Sequence, residues 1–338
     1  MTSAFRDPTI QMAHGAGGQA SRRLIEGLLR PAFGNDLLDP LADAALLPGG
    51  LALTTDSFVV HPLAFPGGSI GELAVHGTIN DLAVSGATPI ALTASLILEA
   101  GLEREILERE VRAMAEAANR AGCPIATGDT KVVEHGKADG LYINTTGLGR
   151  LHPNASLGAD RVTPGDKILL SGAIADHGVA IMLARDELAM ESDVRSDTRS
   201  VLPLTTALLD AWGAEIKWMR DATRGGIATV LNELAHDADV GVVLTEEAVP
   251  IHDAVRGACE LLGLEPYHVA NEGQYLAVVS AAVAEEALEQ LRAIEGGDEA
   301  ALIGEVSDAS RRLVLGKTPF GGTRVIDMLI GDPLPRIC

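Results

Sequence analysis

Two hydrophobic periods, one near 3.6 residues and one near 2, alternate along the chain and divide it into helix and strand segments. ASRRLIEGLLRPAF (20–33) carries a short amphipathic pattern that predicts a helix ending near Pro31. LALTTDSFVV (51–60) reads as a strand with Thr55, Asp56 and Ser57 in its interior. SIGELAVHGTINDLAVSGA (69–87) predicts a helix, with Ser69 as N-cap and Gly86 as its stop. PIALTASLIL (89–98) predicts a buried strand, and GLEREILEREVRAMAEAANRAG (101–122) a long helix with a charged outer face. PIATGDTKVV (124–133) and DGLYINTTGLG (139–149) complete a strand-rich first half.

HPNASLGADRVTPGD (152–166) holds two prolines and two glycines between periodic blocks and predicts a linker. Beyond it, KILLSG, GVVLT, QYLAVVS, ALIGEVS and RRLVLG predict strands. Helices are expected from Ile174 to Met190, from Leu202 to Trp212, and in HDAVRGACELLG and AAVAEEALEQLRAI. RDATRGGIATVLNELAHDA predicts a loop running into a helix. This alternation points to α/β domains. No GxGxxG joins a first strand to a helix, so a dinucleotide fold is not expected. The closing DMLIGDPLPRIC (327–338) has no periodicity and predicts an extended tail, whose 12 residues span up to roughly 40 Å.

At 338 residues the chain exceeds one ordinary core, so two domains are expected. Aromatics are only 3%, so the core must be built from Ala, Val, Leu and Ile. Asp and Glu number 47 against 26 Lys and Arg, a formal charge of -21 that argues against a nucleic-acid partner. ATP stays open, because aspartates can hold Mg²⁺ that in turn presents phosphates. The first residues show no secretory h-region, and Ala87–Leu98 is too short and too interrupted to span a bilayer. Cys123, Cys259 and Cys338 lie far apart without a CxxC, so neither a disulfide framework nor a thiolate metal site is expected, and a cytoplasmic location fits.

Aspartates stand where they are costly: Asp56 interrupts a hydrophobic strand, Asp81 sits in an apolar helix, and Asp129 follows Gly128 at a strand end. Each alone is equally a capping or turn residue. Together, with Lys131 two residues after Asp129, they suit a metal-phosphate site. The loop RDATRGG brings Asp221, Thr223 and Arg224 to a helix start, where main-chain N–H groups and a guanidinium bind anions. HGAGG (14–18) is a flexible turn without the GK[ST] of a P-loop. Glu272, beside a glycine and ahead of an apolar strand, is a candidate general base or a solvated loop residue. His14, His76, His177 and His268 have no zinc spacing. Cys338 ends the tail, where a thiol packs poorly but can carry a covalent group.

Taken together, HGAGG, TTDSFVV, GDTKVV, SGAIADHG, RDATRGG, ANEGQYLAVV and the terminal PRIC resemble the HypE family of hydrogenase-maturation proteins, within the PurM-like ATP-binding superfamily. The resemblance covers nearly the whole chain and implies a two-domain PurM-like α/β (α+β) fold. Its expected parts are residues 1–155 for ATP, Mg²⁺ and dimerisation, residues 156–326 as a second domain, and residues 327–338 as a flexible tail carrying the terminal cysteine. First-domain sheets of two subunits would meet in a barrel. The resemblance assigns Asp56, Asp81 and Asp129 to Mg²⁺, Thr130 to the nucleotide, and Lys131 to the phosphates or the thiocarbamoyl group. It assigns Asp221 and Arg224 to the second nucleotide loop, Glu272 to the base and Cys338 to the carrier. Relatives often have two acidic residues where this chain has Ala42-Asp43, so either Asp43 alone serves as a metal ligand there or that metal contact is weaker.

The implied reaction is ATP-dependent dehydration of a carbamoyl group on Cys338 to an S-cyanate, releasing ADP and phosphate. HypF would load the carbamoyl group, and a HypC–HypD complex would take cyanide for hydrogenase iron. Two other readings remain: a phosphotransferase acting on a free small amide or selenide, and a non-catalytic scaffold for maturation partners. Loss of function on deleting Cys338 alone separates the carrier from the first, and ATP turnover with carbamoylated protein separates it from the second.

Overall fold

A computed structural model describes residues 4–185, 192–331 and 336–338. The chain opens with α1 (Gln19–Leu24) and α2 (Arg30–Phe33), joined by one wide π turn over Ile25–Leu29. The helix therefore runs through Pro31 rather than ending there. Pro31 has no N–H, and its ring crowds the carbonyl four residues back, that of Gly27. The wide turn relieves that crowding, and the freed Gly27 oxygen accepts from the Phe5 N–H at 3.2 Å.

Strands β1 (Ala45–Leu47) and β2 (Leu51–Phe58) precede a small hairpin, β3 (Ala64–Phe65) and β4 (Gly68–Ser69), and helix α3 (Ile70–Val84). β5 (Ala87–Glu99), α4 (Arg104–Arg120), β6 (Ile125–Val133) and β7 (Leu141–Leu151) complete a five-stranded sheet ordered β1-β2-β7-β5-β6. The second half holds β8 (Lys167–Leu170), α5 (Asp176–Leu183), α6 (Leu202–Trp212), β9 (Ile216–Asp221), α7 (Gly226–Asp237), β10 (Gly241–Thr245) and α8 (Asp253–Leu262). It closes with β11 (Tyr275–Val279), α9 (Ala284–Arg292), β12 (Ala301–Ser307), β13 (Val314–Lys317) and β14 (Thr323–Val325), in a seven-stranded sheet ordered β14-β13-β10-β12-β8-β11-β9. Among the described residues only β5–β6 and β10–β13 pair in parallel. Of the helix expected over 174–190, Asp176–Leu183 is helical, and Met190 lies outside the described residues. β9 escapes the sequence pattern because Lys217 and Arg220 interrupt its apolar run.

Helix α3 is apolar almost all round, and such a helix must be enclosed. It packs on β2, β5 and β7, on α4, and on α6 and β9 of the second half. Ala83 and Val84 enter a core shared with Leu169, Leu204 and Leu208, so one helix belongs to both halves. Ser69 stands at its N-cap, yet the buried hydroxyl has no hydrogen-bond partner. The Gly71 N–H is taken instead by the buried carboxylate of Glu110 at 3.1 Å. Gly86 ends the turn with a φ of 76°, as expected of a helix stop.

The strand predicted as buried, PIALTASLIL, is only half-buried within β5. Its inner face meets α3, and among the described residues no element covers its outer face. Leu53 and Ile97 are exposed there, paired in register with Leu148 and Tyr142.

Asn80, buried in α3, ties the halves together. Its Nδ2 donates to the carbonyls of Arg199 (2.9 Å) and Glu272 (3.4 Å), and its Oδ1 accepts from the Val201 N–H (2.8 Å). Asn80→Leu strands those main-chain groups, and the expected cost, about 2–4 kcal/mol, should appear in urea unfolding.

Candidate active site

The seam between the sheets gathers acidic side chains from separate elements. Asp56 shares the inner face of β2 with Ala52, Thr54 and Phe58, and lies against Gly77 of α3, whose missing side chain admits the Phe58 ring. Asp81 comes from the last turn of α3 and Asp221 from the last residue of β9. Asp43 approaches from the loop ahead of β1.

Thr54 Oγ1 lies 2.7 Å from Asp81 Oδ2 and 2.8 Å from the Asp43 carbonyl oxygen. One hydroxyl proton cannot serve both, and the carbonyl can only accept, so both contacts are satisfied when Asp81 carries a proton. Burial pushes the Asp81 carboxyl well above its ordinary range, and the charges of Asp221, Asp43 and Asp56 push it further. Asp221 is raised likewise by burial and by Asp43 and Asp56, opposed by Arg220 and by a hydrogen bond with Asp81. Burial also raises Asp43 and Asp56, against the pull of Arg220 and Arg224 respectively. About a third of the Asp56 side chain still reaches solvent (32%).

Two arginines restrain this charge. Arg220 lies 3.2 Å from Asp43 and 2.6 Å from Glu233, and donates to the Leu41 carbonyl at 2.9 Å. Arg224 lies 3.9 Å from Asp56 and donates to the Gly15 carbonyl at 3.1 Å. Its charge is held by Cys338 first, then by Asp56, Glu272 and Asp81, so one guanidinium faces the terminus and the carboxylates together. HGAGG folds onto this loop. A Cβ on Gly17 would collide with the Arg224 carbonyl, and one on Gly18 with the carbonyl of Leu329.

Glu272 is buried, and its carboxyl is raised well above the usual range by burial, then by Asp56, Asp221 and Asp197. Its main-chain N–H and that of Gly273 donate to the two oxygens of Asp197, at 3.0 and 3.3 Å. Neighbouring Asn271 accepts the Ala175 N–H at 2.7 Å and donates to the Ala222 carbonyl at 2.7 Å.

The end of the tail is docked here. Cys338 and Ile337 are buried in the same core cluster as Phe58 and Phe65. The Val59 N–H donates to the Cys338 carbonyl (3.0 Å), and the His61 N–H to that of Arg336 (3.2 Å). Arg185 donates to the same Arg336 oxygen at 2.9 Å, and Arg336 pairs with Asp139. A cavity of about 130 Å³ opens beside Cys338, lined by Ala16, Val59, Arg224, Gly225 and His268 among others. The tail residues Pro333 and Pro335 lie outside the described residues.

Asp129, Thr130 and Lys131 are not brought to this cluster within one chain. They lie on edge strand β6, where Lys131 pairs with Asp129 at 2.6 Å and lowers its pKa. Register places Asp129 beside Ser95 and Asn144 on the uncovered face, whereas Asp56 pairs with Thr145 on the inner one. Three strand spacings separate β6 from β2, about 14 Å. Thr54, His177, Asp197, Arg220 and Asn271 are site residues that sequence reasoning missed. Arg220 carries a weak signal as a charge between buried neighbours, and the others carry none without the fold.

Among the described residues no group of three or more His, Cys, Asp or Glu is already gathered at ligating distance. The donor chemistry nevertheless fits a hard divalent cation. Burial and neighbouring carboxylates hold Asp81 and Asp221 well above the usual carboxylate range, and a bound cation supplies the positive charge that lets them ionise.

Comparison with known proteins agrees with this geometry. Residues 41–151 match the N-terminal domain, and residues 163–315 the C-terminal domain, of AIR synthase related proteins. The chain is 51% identical over 337 residues to the carbamoyl dehydratase HypE of Azotobacter vinelandii, covering 99% of this chain and 98% of the relative. A HypE solved in complex with HypF superposes with a TM-score of 0.87 at 45% identity, over 90% of this chain and 99% of that one. A HypE solved in complex with ATP gives 0.82 at 45%, over 98% and 100%. Fold and site thus define an AIR-synthase-related protein of two PurM-like domains. Within that class the chain belongs to the HypE family, as its motifs indicated.

The raised carboxyls fix a sign for stability. A group whose folded pKa is raised stabilises the fold below its ordinary pKa and loses that contribution as pH rises through the higher value. Without divalent cation, the melting temperature should therefore fall as pH rises from the ordinary carboxylate range toward 8. Asp81→Asn should flatten that slope in calorimetry, and an unchanged slope would separate Asp81 from the effect.

Proposed function

We propose that this chain dehydrates an S-carbamoyl group on its own Cys338 to an S-cyanate during hydrogenase maturation, with ATP taking up the oxygen as phosphate. The observation that carries this reading is the position of Cys338, buried beside Arg224 at the edge of the carboxylate cluster. The relatives named carbamoyl dehydratase, and the ATP complex of one HypE, supply the substrate class and the nucleotide.

The atoms balance without an outside oxidant. The carbamoyl oxygen departs on phosphate, both amide protons leave nitrogen, and the C≡N unit stays on sulfur. Asp56, Asp81 and Asp221, with Asp43, would hold Mg²⁺, which supplies positive charge against the nucleotide phosphates. Arg224 is placed to stabilise negative charge on the oxygen being transferred. Glu272, whose carboxyl burial raises well above its ordinary range, receives a proton from the amide nitrogen. The main-chain hydrogen bonds from Val59 and His61 fix the register of the terminus, so the cargo is oriented before reaction.

HypF is the proposed carbamoyl donor, supported by the HypE–HypF complex of a relative, and a HypC–HypD complex the proposed cyanide acceptor. The uncovered face of the first sheet suits a homodimer built from two such faces. Asp129, Thr130 and Lys131 would then meet the partner subunit, with the phosphates or the thiocarbamoyl group as their targets.

Incubation with HypF, carbamoyl phosphate and ATP should add a carbamoyl mass to the final peptide, followed by loss of one water. Cys338→Ala should abolish both changes while leaving ATP binding intact. Persistent dehydration of a free amide by Cys338→Ala would instead establish the phosphotransferase reading. Asp81→Asn should remove Mg-ATP binding with the fold retained, as read by calorimetric titration.

A second test addresses the dimer. Asp56→Asn and Asp129→Asn chains, each inactive alone, should recover about a quarter of normal activity when mixed and refolded together, because half the dimers then hold one intact shared site. No recovery would place both residues in one subunit's site.

A further inference from the structure

His177 belongs to the SGAIADHG motif, and the chemistry above gives it no role. It is fully buried in the first turn of α5, edge-on to Phe65. Its Nε2 lies 2.6 Å from the carbonyl oxygen of Ile337, and its Nδ1 lies 2.8 Å from Ser196 Oγ. A carbonyl only accepts, so Nε2 bears the proton and Nδ1 of the neutral ring accepts from the Ser196 hydroxyl. Burial, which lowers the His177 pKa to about 4, keeps the ring in that form.

The residue after Ser196 is Asp197, whose carboxylate holds the main chain of Glu272 and Gly273. The Ser196 N–H donates to the Pro66 carbonyl at 2.8 Å, and Gly67 packs so closely that any side chain there would strike Ser196 main-chain atoms. A second tie runs through α5 itself. The Gly178 N–H donates to the Ala270 carbonyl at 3.1 Å. The Ala175 N–H donates to Asn271 Oδ1, with Ala175 at a φ of 75°, a left-handed conformation that alanine adopts only under constraint.

We propose that His177 is a positioning residue that latches the docked tail and links its arrival to the placement of Glu272, through Ser196–Asp197 on one side and Ala175–Asn271 on the other. With the tail in place, Ile337 fixes the ring, the ring orders Ser196, and Asp197 is set to hold the base. With the tail withdrawn, His177 loses its acceptor and the loop carrying Glu272 loses one support. The base is therefore set only when the tail is docked. The link to chemistry rests on the proposed dehydration; the latch itself does not.

Two readouts separate these parts. The first is the rate of iodoacetamide alkylation of Cys338 without nucleotide, read by mass spectrometry of the C-terminal peptide. The second is the single-turnover dehydration rate of pre-carbamoylated protein. His177→Phe should speed alkylation about tenfold, the value of one hydrogen bond to a buried carbonyl, and should expose the Val59 and His61 amides to hydrogen exchange. His177→Gln, which can still donate to Ile337, should restore most of the protection. If His177→Phe does not fold, Ser196→Ala should give the same result at several-fold, because it removes the group that keeps the ring proton on Nε2. Asp197→Asn should leave alkylation unchanged and slow dehydration, and its effect should be less than multiplicative with that of His177→Phe.

Alkylation within twofold of normal in the His177 and Ser196 variants overturns the latch. Independent, multiplicative effects of His177→Phe and Asp197→Asn overturn the coupling. A protected tail that never dehydrates in the unaltered protein would sink the proposed function while leaving the latch standing.

Discussion

Carboxylates crowded together out of bulk water are the constraint around which this molecule is arranged. Arg220 offsets only part of the cost at Asp221, and the nearby charges of Asp43 and Asp56 raise the cost of ionising both Asp81 and Asp221. Only a rigid frame holds them there, since relaxation of either element would let a carboxylate swing to solvent. Helix α3 supplies that frame. Enclosed on every side, it carries Asp81 to the seam, while its Asn80 clamps the segment leading to Glu272. The arginines mark how far the cluster may be neutralised by the protein itself. Arg220 is committed to Asp43 and Glu233, whereas Arg224 is shared between the terminus and several carboxylates.

That division explains why Asp43 differs from its neighbours. With Ala42 rather than a second acidic residue beside it, the charge of Asp43 is already matched by a guanidinium at 3.2 Å. Asp56, Asp81 and Asp221 keep more negative charge available for a cation. A site that is uncomfortable when empty binds its counter-charge strongly, because each ionised carboxylate then gains what burial had withheld. Stability is given up at the site and regained on binding, a familiar trade where function needs strained groups.

Much of the frame was legible in the sequence, because α4 carries a clean period and α3 reads as a long apolar run bounded by Ser69 and Gly86. Asp56 and Asp81 stood out for the reason the structure makes physical: a charge inside an apolar pattern must have somewhere to go. Sequence pattern could not show which face of a sheet would remain uncovered. PIALTASLIL was therefore expected to be buried, although among the described residues no layer meets its outer face. It also could not show that Asp129 faces away from Asp56, because that depends on register across four strands. Pro31 misled for a related reason. A proline ends a helix only if the displaced carbonyl has no other partner, and here the Phe5 N–H, from outside the helix, provides one.

The manner in which the tail binds follows from the same economy of groups. Beside the burial of Ile337 and the Arg336–Asp139 pair, its last residues are held through main-chain carbonyls, by Val59, His61, Arg185 and His177. Main-chain recognition fixes register without regard to what the sulfur carries, so free and loaded termini can use one berth. Each such bond contributes only about 0.5–1.5 kcal/mol net, and a handful of them sum to an attachment that forms and breaks readily. A carrier that must visit both a donor and its own reaction pocket needs that reversibility. Tighter anchoring by large apolar side chains would hold Cys338 beside Arg224 and withhold it from loading. A weak berth therefore places the demand for accuracy on the neighbours that orient the tail once it arrives, and His177, rigid, neutral and fully buried, is the one donor among them that also touches the segment holding Glu272.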